Sequence, residues 1–228
     1  TSIEARGRLE SLIGQFWDIG LEVGHSIRTV DECFETAAGD ITIQTNLLEA
    51  RRVTGSSSLA RELDLGMRQR LDPKAFYTAK KLELEQRHAK HQDTPYSLEP
   101  NCKESPGGLR DLQVILWIAR AANLGLLRRE AFLQTLRVRL HLATGRREDR
   151  LLFDHQTAMA KAFGFEPRGA RRASEQLMQR YYVNARWIIQ LNTILLQNIA
   201  GQLFPGAAFE ARPINERFHC ERDLLAVN

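Results

Sequence analysis

Segments with apolar residues at helical spacing dominate the sequence from Leu59 onward, and they constrain the fold more than any other feature. Hydrophobic side chains that recur every three to four residues form an apolar stripe along one side of a helix. This pattern predicts helices over residues 59–71, 74–92, 107–124, 129–143, 151–164 and 171–203. Because each stripe must be buried against another element, such a series predicts a helical bundle.

The residues before this bundle have a mixed pattern. Helical spacing over residues 3–19 predicts a helix, and alternation of apolar and polar residues over 21–28 predicts a β-strand. A single strand cannot satisfy its own backbone groups, so we expect its sheet partners to lie upstream of this sequence. Thr29 and Glu32 have the spacing of a capping box, which predicts a further helix from there to about Val53.

The predicted fold class is therefore mainly α (α+β), with a small helix–strand–helix piece ahead of the bundle. Prolines at positions 95, 100 and 106 indicate an irregular stretch between the helices predicted at 74–92 and 107–124. Two short apolar runs within residues 209–227 are joined by polar residues, and they predict a terminal β-hairpin.

Composition argues against several functional classes. The sequence has 32 Lys and Arg against 28 Asp and Glu residues, and the net charge of +4 is too small to indicate nucleic-acid binding. No apolar run reaches the roughly 18 residues of a membrane span, and the polar start is unlike a signal peptide. Three widely spaced cysteines form no disulfide frame or zinc motif, which predicts a cytoplasmic protein. Because the sequence begins without methionine, we expect a piece of a longer protein.

The stretch SPGGLR (residues 105–110) lies at the start of a predicted helix and is a candidate anion site. Ser105 can cap a helix, and Pro106 suits its first position. The backbone amides of Gly107, Gly108 and Leu109 would then be free donors in the first turn, and the helix dipole would favour an anion there. The alternative is a helix start reached through a tight turn, without any ligand.

Charged residues flank the two glycines. Lys103 and Arg110 would add positive charge of the kind that binds phosphate. Glu104 and Asp111 bring negative charge to the same end. Carboxylates there either stabilise the helix itself or position a metal bound to phosphates, and the residues alone leave both interpretations open.

Two further stretches carry charge suited to phosphate or metal chemistry. Gly145 is a predicted helix C-cap, and the arginines that follow it either bind an anion or form ion pairs; they are Arg146, Arg147 and Arg150. Glu22 lies on the polar face of the predicted strand, where a carboxylate is either a metal ligand or solvated. The histidines show no metal-ligand spacing, and the sequence contains neither a nucleophile motif nor a P-loop.

Several long strings of this sequence, taken together, resemble one family. They are WDIGLEVGHSIRTVDEC, DITIQTNLLEARRVTG, YSLEPNCKESPGGLRDLQ, HLATGRREDRLLFDHQ, MQRYYVNA and RPINERF. In this order they resemble the bifunctional uridylyltransferase/uridylyl-removing enzymes that modify the PII nitrogen-signalling protein. The resemblance runs from about residue 3 to residue 227, which is nearly the whole chain.

This resemblance implies an enzyme that transfers UMP from UTP to a tyrosine of PII when glutamine is low and removes it when glutamine is high. It implies Mg2+ or Mn2+ as the metal. It also implies three regions: the end of a polymerase-β-type nucleotidyltransferase domain at 1–58, a helical domain at 59–208 and a short β-like tail at 209–228. The fold would then be a helical bundle domain preceded by a partial nucleotidyltransferase α/β piece.

The same resemblance places important parts of the enzyme outside this sequence. The family's metal-binding Asp pair should precede residue 1, so the chain alone is predicted to be inactive. Its hydrolase domain and the paired domains that sense glutamine should follow residue 228. The segment around Gln134 is shorter than the family's helix there.

The resemblance also implies site residues. SPGGLRDLQ is similar to a stretch in the adenylyltransferase of glutamine synthetase, which suggests contact with the triphosphate or a domain interface and not the choice of base. The implied nucleotide-binding residues are Lys103, Glu104, Gly107, Gly108, Arg110 and Asp111. Glu22 and Asp40 are candidates for a further catalytic carboxylate, and the metal ligands are otherwise unknown.

Two other functions stay open at this point. One is a nucleotidyltransferase like the adenylyltransferase of glutamine synthetase, although the strings GHSIRTVDEC and RREDRLLFDHQ argue against it. The other is a helical module that docks PII without catalysis. Neither nucleic acid nor a membrane is an expected partner.

Overall fold

The computed structural model describes residues 3–124, 131–205, 212–214, 217–221 and 224–227. The helices in this part of the chain are α1 (Ile3–Asp18), α2 (Val30–Gly39), α3 (Ile41–Leu48), α4 (Ser57–Arg70), α5 (Pro73–Lys90), α6 (Leu109–Ala121), α7 (Ala131–Thr144), α8 (Phe153–Ala162) and α9 (Ala173–Leu203). The strands are β1 (Arg212–Pro213), β2 (Phe218–Glu221) and β3 (Leu224–Val227). The predicted mainly α class is confirmed. None of the described helices is long and apolar enough to cross a membrane.

The helices predicted from residue 59 onward are confirmed as α4 to α9. Polar caps set the starts of two of them. The Asp72 carboxylate accepts hydrogen bonds from the two amides that follow Pro73, and this proline occupies the first turn of α5, where a missing N–H costs nothing. The Ser56 hydroxyl accepts a hydrogen bond from the amide of Leu59 at the start of α4.

The β-strand predicted over residues 21–28 is wrong. These residues have no regular secondary structure, and they pair with no strand in the described part of the chain. Leu21 and Ile27, which are apolar positions of this alternation, are 51% and 52% exposed. Alternation produces a strand only where a partner strand satisfies the backbone and a core covers one face, and these residues have neither here.

The predicted capping box of Thr29 and Glu32 is present at the start of α2. The single helix predicted from there to residue 53 is nevertheless divided at Asp40. The Asp40 carboxylate accepts hydrogen bonds from two amides of the next turn and so caps α3 as a separate helix. An aspartate that bonds to the backbone in this way competes with a continuing helix, and apolar spacing does not reveal that competition.

The predicted C-terminal hairpin is confirmed. β2 and β3 are antiparallel, and their register pairs Phe218 with Val227 and Glu221 with Leu224. β1 pairs antiparallel with β2, so the strand order in the sheet is β1-β2-β3. This small sheet is the only one among the described residues.

Two hydrophobic clusters form the core. The first is centred on α7, α8 and the first half of α9, and its most buried members include Leu136, Leu140, Leu151, Leu177 and Tyr181. The second is centred on α5, the later part of α6 and the end of α9, and its members include Phe76, Val114, Ile118, Leu196 and Ile199. Because α6 and α9 contribute to both clusters, these two helices hold the two halves of the core together.

The second cluster extends to the helices that precede the bundle. Ala37 of α2 is buried within it, and Phe34 and Ile41 pack against it. This part of the core therefore crosses the proposed division between residues 1–58 and 59–208. The division itself, and the separate tail proposed from residue 209, stay predictions.

Replacing Leu136 by Ala is expected to lower the free energy of unfolding by about 2–5 kcal/mol, because it empties a fully buried site in the first cluster. Leu142 lies on the same helix and is 78% exposed, so Leu142→Ala should change the stability by less than about 0.5 kcal/mol. Urea unfolding of the two variants, followed by circular dichroism, measures this difference. Equal losses would contradict the packing of α7 described above.

Candidate functional site

The carboxylate of Asp111 is the centre of a buried polar network between α5 and the start of α6. Its side chain is 0% exposed. Arg87 Nη2 donates to Oδ1 at 2.6 Å, and the amide of Gly107 donates to Oδ2 at 2.8 Å. His88 Nε2 lies 3.0 and 2.9 Å from the two oxygens, and because a carboxylate only accepts, this nitrogen carries a proton. Pairing of this kind is what makes a buried charge tolerable.

The backbone amides of the SPGGLR turn already have partners. The amides of Gly108, Leu109 and Arg110 donate to the carbonyls of residues 105, 102 and 103 at 2.8, 3.0 and 2.9 Å. The Gly107 amide donates to Asp111, so none of the backbone amides of these four residues is free. The expectation of open amides facing an anion is therefore wrong, because the preceding loop folds back and occupies them.

The helix also begins later than the sequence predicts. α6 starts at Leu109 with Gly108 as its N-cap, and no side chain caps it. Ser105 is not the cap because it is buried and its hydroxyl accepts a hydrogen bond of 3.0 Å from the amide of Asn101. Ser105 thus closes the loop that supplies the carbonyls, and does not begin the helix.

Both glycines are required by the shape of the turn. Gly107 has a φ of +77°, and a Cβ there would lie 2.6 Å from the Cα of Ala185 on α9. A Cβ on Gly108 would lie 2.8 Å from the carbonyl oxygen of Ser105 and 2.9 Å from that of Lys103. Only glycine tolerates this φ and these approaches without a shift of the neighbouring backbone. The geometry therefore explains the two glycines without any ligand.

The segment that precedes the turn is bound to the charged loop at residues 145–156. The amide of Cys102 donates to the carbonyl of Asp149 at 2.8 Å, and the amide of Leu151 donates to the carbonyl of Pro100 at 2.9 Å. The hydroxyl of Tyr182 on α9 donates to the carbonyl of residue 97 at 3.0 Å. The structure thus brings together two stretches that the sequence analysis singled out separately.

Four charged side chains meet beside the turn, and we call Arg87, Lys103, Glu104 and Arg110 the charged cluster. Lys103 Nζ and Arg110 Nη2 lie 3.3 and 3.7 Å from Glu104 Oε1. Arg87 Nε lies 4.0 Å from Glu104 Oε2. The side chains of Lys103 and Arg110 are each 29% exposed, so both remain accessible to solvent. Because the Lys103 carbonyl accepts from the Arg110 amide, the backbone itself sets the two cations side by side.

Asp149 anchors the loop that faces the turn. Its Oδ1 accepts a hydrogen bond of 2.6 Å from Arg137 Nε and lies 2.9 Å from His141 Nε2. Burial raises the pKa of the Asp149 carboxyl, but the hydrogen bonds from Arg137 and His141 outweigh it, so its pKa is lowered. The charged form of Asp149 is therefore the form that stabilises this loop.

The two candidate metal carboxylates have other partners. Glu22 Oε2 lies 2.7 Å from Arg147 Nη1, and both side chains are exposed. Asp40 caps α3, and the hydrogen bonds that it accepts from the amides of Ile43 and Thr42 lower the pKa of its carboxyl. Within the described ranges no group of three or more His, Cys, Asp and Glu side chains is arranged to hold a metal ion. The assignment of Glu22 or Asp40 to catalysis stays a prediction.

Most of the arginines that follow α7 form ion pairs, which was one of the two interpretations left open by the sequence. Gly145 has a φ of +64° and ends α7 as predicted. Arg146 Nη2 lies 2.8 Å from Glu148 Oε2, and Arg147 pairs with Glu22. These contacts explain two of the three arginines without a phosphate.

The partners of the buried Asp111 and of the partly buried Asp149 were not predicted from the sequence. Arg87 and His88 lie in the last turn of α5, more than twenty residues before Asp111, so no local spacing links them to it. Arg137 and His141 lie on one face of α7 and meet Asp149 across a turn. The one available signal was basic residues in the last turn of a helix, which is also a common way to stabilise a helix end.

Two buried residues beside the turn are unsuited to nucleophilic chemistry. Burial raises the pKa of the Cys102 thiol to about 12. Burial also raises the pKa of Tyr181. Both side chains are fully buried in the first hydrophobic cluster, so they stay protonated at neutral pH and out of reach of a substrate.

Comparison with known proteins links this chain to one family. A family model described as GlnD PII-uridylyltransferase matches residues 75–126 and 124–196. Bifunctional uridylyltransferase/uridylyl-removing enzymes of Burkholderia mallei (strain SAVP1) and Burkholderia thailandensis are 55% identical to this chain over 240 residues, and that of Burkholderia lata is 53% identical. Each match covers 96% of this chain but 28% of the relative's length. No solved structure matches the chain.

Gly107→Ala is expected to cost about 2–4 kcal/mol of stability, because it combines a strained positive φ with a clash against the α9 backbone. Gly164→Ala is the matched control. Gly164 has a φ of +75°, and a Cβ there would meet nothing within 4 Å, so only the φ penalty of about 1–2 kcal/mol applies. Chemical unfolding of both variants tests the difference, and equal costs would argue against the close approach of the turn to α9.

The lowered pKa of Asp149 predicts a pH-dependent contribution to stability. Because the folded state holds this pKa below its ordinary value of 3.8, the contribution is present above that pH and is lost as the pH falls through the folded pKa. Asp149→Asn should therefore be less stable than the unmodified protein at pH 7. This gap between their free energies of unfolding should narrow below about pH 3.8. Asp18→Asn, at an exposed position at the end of α1, should show no such gap in parallel thermal unfolding. A gap for Asp149→Asn that stayed constant with pH would contradict the ion-pair network.

Proposed function

Because this chain belongs to the PII-uridylyltransferase family, we propose that it is part of an enzyme that transfers UMP from UTP to a tyrosine of a PII protein. The observation that carries the proposal is 53–55% identity, over 96% of the chain, to relatives named bifunctional uridylyltransferase/uridylyl-removing enzyme. Those relatives' name also suggests that the longer protein removes the UMP again by hydrolysis. Glutamine would control the two reactions through parts of the protein outside this chain.

The proposed reaction is a displacement at phosphorus. The tyrosine oxygen of PII gives up its proton and attacks the α-phosphorus of UTP. A new oxygen–phosphorus bond to the UMP group forms, and the bond to the leaving pyrophosphate breaks. Negative charge on the phosphate oxygens must be stabilised while this happens, and positive side chains fixed in advance do this best. We assign that role in this chain to the side chains of Lys103 and Arg110.

The charged cluster supports this assignment. Lys103 and Arg110 are held side by side by a backbone hydrogen bond, and both remain partly exposed. Glu104 lies between them and offsets their mutual repulsion when no anion is present. A triphosphate would replace Glu104 as their partner, since the guanidinium of Arg110 suits paired phosphate oxygens and the ammonium of Lys103 suits a single one.

The other residues of the implied nucleotide site act indirectly in this proposal. The amides of Gly107 and Gly108 are already hydrogen-bonded, so these residues contribute the shape of the turn and not contacts to phosphate. Asp111 is fully buried and fixes Arg87, the member of the charged cluster that lies nearest to it. Direct contact is therefore proposed for Lys103 and Arg110 alone.

Magnesium or manganese bound to the triphosphate would neutralise charge during such a transfer. The described residues do not provide ligands for this metal, because no three or more of their His, Cys, Asp and Glu side chains are grouped so that they could hold an ion. We therefore assign no residue of this chain to the metal. An adenylyl transfer to glutamine synthetase is the less favoured alternative, because the relatives of this chain are named for uridylyl transfer.

Arg110→Gln in the full-length protein is expected to lower the rate of UMP transfer to PII and to weaken UTP binding, each by about tenfold or more, because a charged donor to phosphate is lost. Arg120→Gln is the matched control: it removes an arginine from the other end of α6, where the guanidinium donates to the carbonyl of Leu48. The measurements are radiolabelled UMP transfer, UTP binding and PII binding, with thermal unfolding as a check on folding.

The possible outcomes separate three roles of the charged cluster. Loss of UTP binding and transfer in Arg110→Gln alone supports contact with the nucleotide. Unchanged transfer with reduced stability would show that Arg110 is structural, which agrees with its position 5.3 Å from the ring of Trp117. Loss of PII binding with normal UTP binding would instead support a docking surface, and it would overturn the proposed contact with phosphate.

A further inference from the structure

A tight turn before α9 sets two arginines opposite each other. The backbones of Arg168 and Arg171 exchange two hydrogen bonds, each 3.1 Å long, and Gly169 between them has a φ of +58°. Residues paired in this way across an antiparallel bridge project their side chains to the same side. Like charges placed directly opposite one another are destabilising unless something neutralises them.

The turn is fastened to α9, so its position is fixed relative to a third arginine. Gln176 Nε2 donates to the carbonyl of Glu166 at 2.6 Å and ties the loop to the helix. Arg180, one helical turn further along, has its guanidinium 4.7 Å from the ring centroid of Phe132. Stacking of this kind orients a guanidinium and leaves its N–H groups at the edge available as donors.

The three arginines line one shallow pocket. Its lining consists of Phe165, Arg168, Arg171, Gln176, Gln179, Arg180 and Val183. Among the residues that the structure describes, the lining contains three arginines and two glutamines but no Asp or Glu. The contrast with the charged cluster is clear, because there Glu104 and Asp111 balance the cations.

We propose that this pocket binds a phosphoryl anion that carries at least two negative charges. Three guanidinium forks at one site match the several oxygens of a diphosphate, whereas a single carboxylate would offer two oxygens and one charge. Gln179 is exposed at the edge of the pocket and adds a neutral donor. The site shares no residue with the charged cluster, so it is independent of the proposed catalytic function.

The test is calorimetric titration of pyrophosphate into the protein. The Arg168→Gln/Arg171→Gln variant should bind pyrophosphate about tenfold more weakly or worse, because two charge-assisted partners are lost. Arg51→Gln/Arg52→Gln is the matched control, since it removes two charges from another exposed arginine pair outside the pocket. The control should bind within about twofold of the unmodified protein, and circular dichroism should be the same for all three proteins.

Two further variants distinguish binding in this pocket from binding at the charged cluster and from a general effect of charge. Lys103→Gln/Arg110→Gln should keep one pyrophosphate site, because only the charged cluster is altered. Arg180→Lys keeps the charge but loses the planar fork, so it should also weaken binding. If the Arg51/Arg52 and Arg168/Arg171 variants lost pyrophosphate affinity equally, overall charge would explain the loss. That result would overturn the proposal. So would the absence of any binding to the unmodified protein at millimolar pyrophosphate.

Discussion

A carboxylate without solvent contact must be neutralised by its neighbours, and Asp111 meets this requirement with Arg87, His88 and the amide of Gly107. These three contacts join the end of α5, the start of α6 and the turn between them. Because the Gly107 amide is one of the partners, the path of the backbone at the turn and the charge balance of the interior depend on each other. The positions of Lys103 and Arg110 follow from that arrangement.

The helical part of the fold could be predicted from the sequence because burial of an apolar stripe is a local signal. Each helix from α4 to α9 repeats this signal over two turns or more, so errors at single residues do not change the result. The early strand could not be judged in the same way. Its alternation is equally local, but a strand forms only with a partner, and the sequence of one segment does not contain that information.

The location of the candidate site could be predicted from the sequence, but the contacts of its residues could not. The two glycines and the flanking charges marked the turn correctly, because such residues are unusual before a long apolar helix. Their role depended on contacts from residues distant in sequence: the carbonyls of the preceding loop, the backbone at Ala185 and the side chains of Arg87 and His88. The general rule that a helix begins with unpaired amides fails here because a folded-back loop supplies the acceptors.

The hydrogen bonds of the turn and its loop join backbone atoms or reach the side chains of Asn101, Ser105 and Asp111. None of them uses the side chains of Lys103, Glu104 or Arg110. The shape of the turn therefore depends on its hydrogen-bonded atoms, whereas its charge depends on the side chains of Lys103, Glu104 and Arg110. The scaffold can stay constant while the charges that it displays are exchanged. Evolution or a protein engineer can thus exchange the charges displayed at this place without first having to rebuild the loop.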